Sequence, residues 1–234
     1  MKISKSCREI LNLLYRTYPE AKITLNYSNN WELLVAVILS AQCTDKKVNE
    51  VTAKLFEKYR TLEEYSQVKP AEFEKDIRST GFYRNKTRNI LKTAVIIKEK
   101  YSGKVPRTMS GLVSLPGVAR KTANIVLGAA FGKVEGIAVD THVFRIAQRL
   151  RLVDPEKISG NKKIRFRKNS FLVTDFIKNA STRKIEKELM KNIPKIDWMK
   201  LNYLLIEHGR SVCRAQRPLC FQCALNKICP VSRL

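Results

Sequence analysis

Apolar residues recur every three to four positions through almost the whole chain, and that period restricts it to folds that bury the faces of helices. After Thr44 or Asp45, Val48, Val51, Leu55 and Tyr59 share one face, and before Gly103 so do Ile90, Ala94, Ile97 and Tyr101. Local chemistry agrees. Thr61 with Glu64 three residues on has the form of a capping box, Pro70 suits a first helical turn, and Gly81 separates the helix near Ala71–Arg78 from the next. Gly103 and Pro106 mark a loop. No convincing alternating strand is found, so the pattern predicts an all-α protein of about ten helices joined by short loops. The longest apolar run, Leu33 to Leu39, is far short of the roughly 20 residues that cross a bilayer, and reads as a buried helix. One stretch breaks the texture. Between residues 155 and 178, Lys157, Lys162, Lys163, Arg165, Arg167 and Lys168 stand among few apolar residues, and a basic loop or added short segment is expected there.

Charge narrows the partners. With 45 Lys+Arg against 21 Asp+Glu, the 234 residues carry a net charge of +24, which draws the protein to polyanions. Nucleic acid leads, although a ribosome-associated protein or a membrane-surface binder would also be basic. The N-terminal Met1–Lys5 is basic, but the apolar stretch after it, Ile10 to Leu14, is too short for a signal-peptide core and lacks a cleavage site. A soluble, cytoplasmic protein without membrane attachment is therefore expected. In a reducing compartment the six cysteines are better read as thiols than as disulfides, and four of them form Cys213-x6-Cys220-x2-Cys223-x5-Cys229. Four thiolates complete a site by themselves. Zinc normally takes two Cys-x2-Cys-like pairs, so the uneven spacing favours a [4Fe-4S] cluster modestly. Arg214, Arg217 and Lys227 would give that loop a basic surface. Cys7 and Cys43 read as small buried or loop residues.

The segment with most chemical content is Leu115-Pro116-Gly117-Val118-Ala119-Arg120-Lys121-Thr122-Ala123. It reads as a tight glycine turn between a short helix over Met109 to Val113 and a long one ending near Ala130. Gly117 permits a left-handed turn, so that the amides from Val118 to Arg120 can point outward where the helix dipole favours an anion. Phosphate binding is the functional reading and an ordinary helix-helix corner the structural one. Lys121 lies in the opening turn, where the dipole and Arg120 work against an ammonium ion, and a neutral amine there is a nucleophile. Further on, IAVDTHVFRIAQRL (137–150) sets Val143, Ile146, Ala147 and Leu150 at helical spacing with Asp140 or Thr141 at the N-cap. Asp140, after Ala138 and Val139, is either a plain cap or a carboxylate that steadies positive charge. Helical signals return over Ser181–Ile193 and Asp197–His208, with Gly209 as the expected stop.

LPGVARKTANIVLGAAF followed by IAVDTHVFRIAQRL resembles the helix-hairpin-helix motif and catalytic loop of the endonuclease III family of DNA glycosylases. The resemblance runs from about Ile10 to Pro230, apart from the basic insertion, and the cysteine spacing is the family's. The family's hairpin usually has a second glycine where this chain has Ala119. Carried onto this sequence, the resemblance implies that Lys121 and Asp140 are catalytic, that Gly117, Val118, Ala119 and Arg120 meet DNA, and that Cys213, Cys220, Cys223 and Cys229 hold a [4Fe-4S] cluster. It also implies that Gln42 and Phe82 enter the DNA stack; from the residues alone, a helix C-cap and a core aromatic are equally good readings of these two. The implied activity is that of a monomeric, bifunctional DNA glycosylase/AP lyase acting on double-stranded DNA. Its substrates would be oxidised or ring-damaged pyrimidines and abasic sites, flipped out of the duplex. The implied organisation is a helical barrel over 23–134, with the hairpin motif at about 108–131, and a discontinuous cluster domain of 1–22 and 135–234 carrying the insertion at 155–178, with DNA in the cleft between them. A related adenine glycosylase would place a catalytic glutamate where this chain has Ala36. A redox-sensing DNA-binding module would not need both Lys121 and Asp140.

Overall fold

A computed structural model of the chain describes residues 5–234; the basic Met1–Ser4 stretch of the N-terminal reading lies outside the described residues. In chain order the helices are α1 (Lys5–Thr17), α2 (Asn30–Leu39), α3 (Asp45–Lys58), α4 (Leu62–Gln67), α5 (Pro70–Ile77), α6 (Tyr83–Lys100), α7 (Met109–Val113), α8 (Arg120–Phe131), α9 (Thr141–Arg149), α10 (Thr182–Asn192) and α11 (Trp198–Ser211). Two strands, β1 (Lys163–Lys168) and β2 (Phe171–Ile177), lie between α9 and α10. The helices fall into two compact units, one of Ile23–Glu135 and one of Met1–Lys22 with Gly136–Leu234. No helix among the described residues is long and apolar enough to cross a membrane.

In the unit of Ile23–Glu135, α2 is the central element. Leu33 through Leu39 are all buried, as a run apolar on every side must be, and α3, α6 and α8 pack round it. The expected caps are present. Thr44 accepts from the Lys47 amide, and Thr61 and Glu64 form a reciprocal capping box, Glu64 Oε2 accepting from the Thr61 amide at 2.7 Å. Such a box stabilises a short helix by about 1 kcal/mol. Pro70 occupies the first turn of α5.

In the other unit, α9 packs against α11, α10 and β2. Gly209 does not stop α11, which continues to Ser211. The glycine sits inside the helix because a Cβ there would collide with the His142 ring of α9, so close packing and not chain termination fixes it.

The basic segment also departs from expectation. It is an antiparallel β-hairpin closed by a two-residue turn, with Lys168 opposite Phe171 and Asn169 at φ 51°. Along β1 exposed Arg165 and Arg167 alternate with half-buried Phe166 and Lys168. The strand period is present in Lys163-Ile164-Arg165-Phe166-Arg167, where polar and apolar residues alternate, but it covers only five residues and breaks at Lys168, so the run of cations dominates the segment.

Candidate functional site

The sequence-predicted site residues of the first unit lie at three turns, one before α8, one after α2 and one before α6. The turn from Leu115 to Ala119 joins α7 to α8: Gly117 has φ 76°, Val118 donates its amide to the Leu115 carbonyl at 3.2 Å, and Val118 is buried as the anchor. A side chain at 117 would meet the Asn89 amide of α6 as well as a left-handed backbone. Thr93 of α6 donates to the Pro116 carbonyl at 3.3 Å. The turn is thus braced from below. Ala119 is the N-cap of α8 and makes no side-chain cap, so the first-turn amides of Arg120, Lys121 and Thr122 are not capped by its side chain. Lys121 is exposed in that turn, beside exposed Arg120.

Gln42 and Phe82 lie at the ends of two other helices of the same unit. Gln42 is exposed at φ 54°, in the turn after α2, whose C-cap is Ser40 and not Gln42. Phe82 follows Gly81, has φ 49°, and is 62% exposed, so it is not a core aromatic. Left-handed backbone at two bulky non-glycine residues is strained, by about 1–3 kcal/mol each, and needs support from its surroundings. Lys86 supplies it. The residue is only 4% exposed, and its ammonium donates to the Leu39 carbonyl at 2.8 Å and to the Thr80 carbonyl at 2.8 Å, tying the end of α2 to the turn before Phe82. Sequence reasoning missed Lys86, although a signal existed: it stands four residues before Ile90, on the apolar stripe of α6.

In the second unit Asp140 is the N-cap of α9. Its Oδ1 accepts from the His142 amide at 2.9 Å and the Val143 amide at 2.8 Å, and the side chain is half-buried. The capping role is therefore real, whatever else the carboxylate does. Cys213, Cys220, Cys223 and Cys229 line one cavity together with Arg149, Asp175 and His208. Burial pushes the Cys229 thiol up to about 11 and holds His208 down to about 4, the nearby Arg145 and Arg149 adding to the effect on the histidine. Arg149, buried, reaches Cys213 Sγ at 3.4 Å, and Arg145 donates to the Cys213 carbonyl at 2.9 Å. Among the described residues no three His, Cys, Asp or Glu side chains converge closely enough to hold a metal ion. The donor set and the shared cavity nonetheless suit an all-thiolate centre.

The chain matches the model of the HhH-GPD superfamily base excision DNA repair proteins over residues 35–172. It is 45% identical to endonuclease III of Synechocystis sp. over 222 residues, covering 95% of this chain and 90% of that protein. With endonuclease III of Bacillus subtilis it is 45% identical over 212 residues, 91% of this chain and 86% of the relative. Among solved structures, a trapped endonuclease III-DNA covalent intermediate in an estranged-adenine complex superposes with a TM-score of 0.83 at 43% identity, over 98% of this chain and 97% of that one. A thermostable thymine-DNA glycosylase shares the fold at a TM-score of 0.75 and 19% identity. With its helix-turn-helix at 109–131 and full-length likeness to these proteins, the chain belongs to the HhH-GPD superfamily of base excision DNA repair proteins, on its endonuclease III branch.

Proposed function

We propose that the protein is a monomeric, bifunctional DNA glycosylase/AP lyase that removes oxidised or ring-damaged pyrimidines from double-stranded DNA and cleaves at abasic sites. The observation that carries this reading is the exposed Lys121 in the opening turn of α8, straight after the Gly117 turn, in a chain 43% identical to an endonuclease III trapped covalently on DNA. Lys121 Nζ attacks C1′ of the flipped nucleotide. The C1′–N bond to the base breaks and the base leaves with a proton; the C1′–O4′ bond then opens, O4′ taking a proton from the amine, and the new C1′–Nζ bond becomes a Schiff base. Loss of a C2′ proton then expels the 3′ phosphate, which is the lyase step. Asp140 is the second catalytic residue, its carboxylate steadying positive charge on the sugar.

Gly117, Val118, Ala119 and Arg120 contribute a backbone phosphate grip, supported by the uncapped start of α8. The Ala119 methyl stands where a second glycine is usual, and α8 begins at Arg120 all the same. Gln42 and Phe82 enter the stack from their left-handed turns, a role supported by their exposure. Cys213, Cys220, Cys223 and Cys229 hold a [4Fe-4S] cluster; such a centre when bound cross-links the loop and supplies a one-electron couple. Arg149 and Arg145 hold the Cys213 end of that loop through its sulfur and carbonyl.

Borohydride trapping on a duplex with one thymine glycol tests the reading. Wild type gives a covalent protein-DNA adduct, Lys121→Ala gives none, and Asp140→Asn gives much less. No adduct from folded, cluster-loaded wild type would replace this reading with a monofunctional glycosylase or a non-catalytic DNA-binding module.

A further inference from the structure

We infer that the β-hairpin of residues 163–177 is a second DNA-backbone contact, separate from the Gly117 turn and built on the cluster-bearing unit. The inference rests on the reading of the protein as a DNA-binding enzyme. From residue 162 to 178 the chain carries Lys162, Lys163, Arg165, Arg167, Lys168 and Lys178, and its only carboxylate is Asp175. Asp175 is buried and turned inward, where it binds Arg149. The negative charge is thereby removed from the surface, and Lys162, Lys163, Arg165, Arg167 and Lys178 remain exposed. None of Lys163, Arg165 and Arg167 forms a salt bridge among the described residues. Arg165 and Arg167 lie on one face, two residues and so about 6.6 Å apart along the strand.

A charged loop without fixed structure would be a solvated tail, but this hairpin is held along its length. Gln148 of α9 accepts from the Ile177 amide at 2.8 Å, Arg151 donates to the Thr174 carbonyl at 2.8 Å, and Lys168 reaches the Ser232 carbonyl at 2.9 Å. Arg233 stacks on the inward Phe166 with 4.9 Å to the ring centroid. The inward face is thus spent on anchoring. The outward face is preorganised and cationic, and a regular polyanion is what it complements. Phe171, Leu172 and Ile164 are exposed on the hairpin as well, but the exposed cations Lys162, Lys163, Arg165, Arg167 and Lys178 outnumber them and Thr174 stands opposite Arg165, so a duplex backbone fits better than an apolar partner.

The test is the salt dependence of binding to an undamaged duplex by the full-length, cluster-loaded protein, a readout that needs no lesion chemistry. Lys163→Gln/Arg165→Gln/Arg167→Gln leaves Asp175, Gln148 and Lys168 in place. The slope of log K against log salt should become shallower by about 0.9 for every phosphate that the variant no longer neutralises, with the deficit largest at low salt. The smaller Arg165→Gln/Arg167→Gln change should give a proportionate part of that effect and guards against a folding defect in the triple variant. Borohydride trapping at saturating enzyme should stay at the wild-type level, and a wild type that binds DNA but cannot be trapped would overturn the lyase reading alone. A slope unchanged in both variants overturns the hairpin assignment. An unchanged slope together with weakened binding to polyglutamate would overturn it in favour of an acidic protein partner.

Discussion

Each unit of the molecule buries long cationic side chains beside the loops described above, Lys86 in the first and Arg149 with Arg145 in the second, and Lys86 and Arg149 are neutralised in opposite ways. Lys86 in the first unit has two backbone carbonyls, of Leu39 and Thr80, as its hydrogen-bond acceptors. Arg149 in the second has a bidentate carboxylate, both bonds to Asp175 at 2.7 Å, and three further acceptors in the cysteine loop: the Arg214 carbonyl at 2.7 Å, the Ala215 carbonyl at 3.1 Å and Cys213 Sγ. The guanidinium fork can satisfy a carboxylate and a loop at once, which an ammonium cannot. Burial accordingly pushes Lys86 below its ordinary value, whereas for Arg149 burial is more than offset by Asp175 and Cys213 together and the guanidinium ends above it. The lysine ties two chain ends together at low cost in partners; the arginine organises a whole loop but depends on its counter-ion.

The dependence can be broken from the acidic side. Asp175→Ala leaves a buried guanidinium uncompensated, a change that costs about 3–5 kcal/mol where it has been measured in buried pairs. Denaturant unfolding should show that loss, and the cysteine loop should become more accessible to thiol reagents. Replacing both partners, Arg149→Met with Asp175→Val, should recover most of the stability but not the loop protection. Recovery of both would mean that Arg149 has no organising role. Lys86→Met should cost less, on the order of 1 kcal/mol, because two carbonyls lose their donor while an unpaired buried charge is also removed. Its mark should be local: faster amide hydrogen exchange at Ala41–Thr44 and Gly81–Phe82, the turns that carry Gln42 and Phe82. Exchange that rises equally over the whole unit would show a merely global loss.

What is legible in the sequence follows the same division between local and distant causes. The Thr61–Glu64 box, Pro70, the Met109–Val113 helix, the start of α8 and the Asp140 cap are set by residues within a few positions of one another, and each is found where the pattern places it. Gly209 reads wrongly as a helix stop because its cause, the His142 ring, lies on another helix. The hairpin is signalled only by the five-residue alternation of Lys163–Arg167, and what holds it, Asp175 on Arg149 and Gln148 on Ile177, spans 26 and 29 residues. Lys86 reaches 47 residues back to Leu39. Residue types announce the roles proposed for Lys121, Asp140 and the cysteines, whereas the residues that hold their surroundings in place carry no motif.

The smallest effect expected is also the one that separates Lys86 from Arg149 most cleanly, since only the lysine can lose its proton in an accessible range. Arg149 stays charged at every pH the fold survives. The unfolded chain holds the Lys86 proton up to about 10.5, the ordinary lysine value, whereas burial makes the folded protein release it at lower pH. Between the folded value and the unfolded one, the unfolded state binds more protons, so stability attributable to this group rises with pH across that window. Below the window both states are protonated and the penalty for the buried charge is constant and complete. Wild type should therefore gain on Lys86→Met as pH is raised from neutral towards about 10. Comparing the two proteins cancels the other titrating groups, which they share. Denaturation midpoints of the pair, followed over that range, should diverge in favour of wild type; parallel curves would mean that the two carbonyls compensate the ammonium as fully as Asp175 compensates Arg149, and the contrast between the units would vanish.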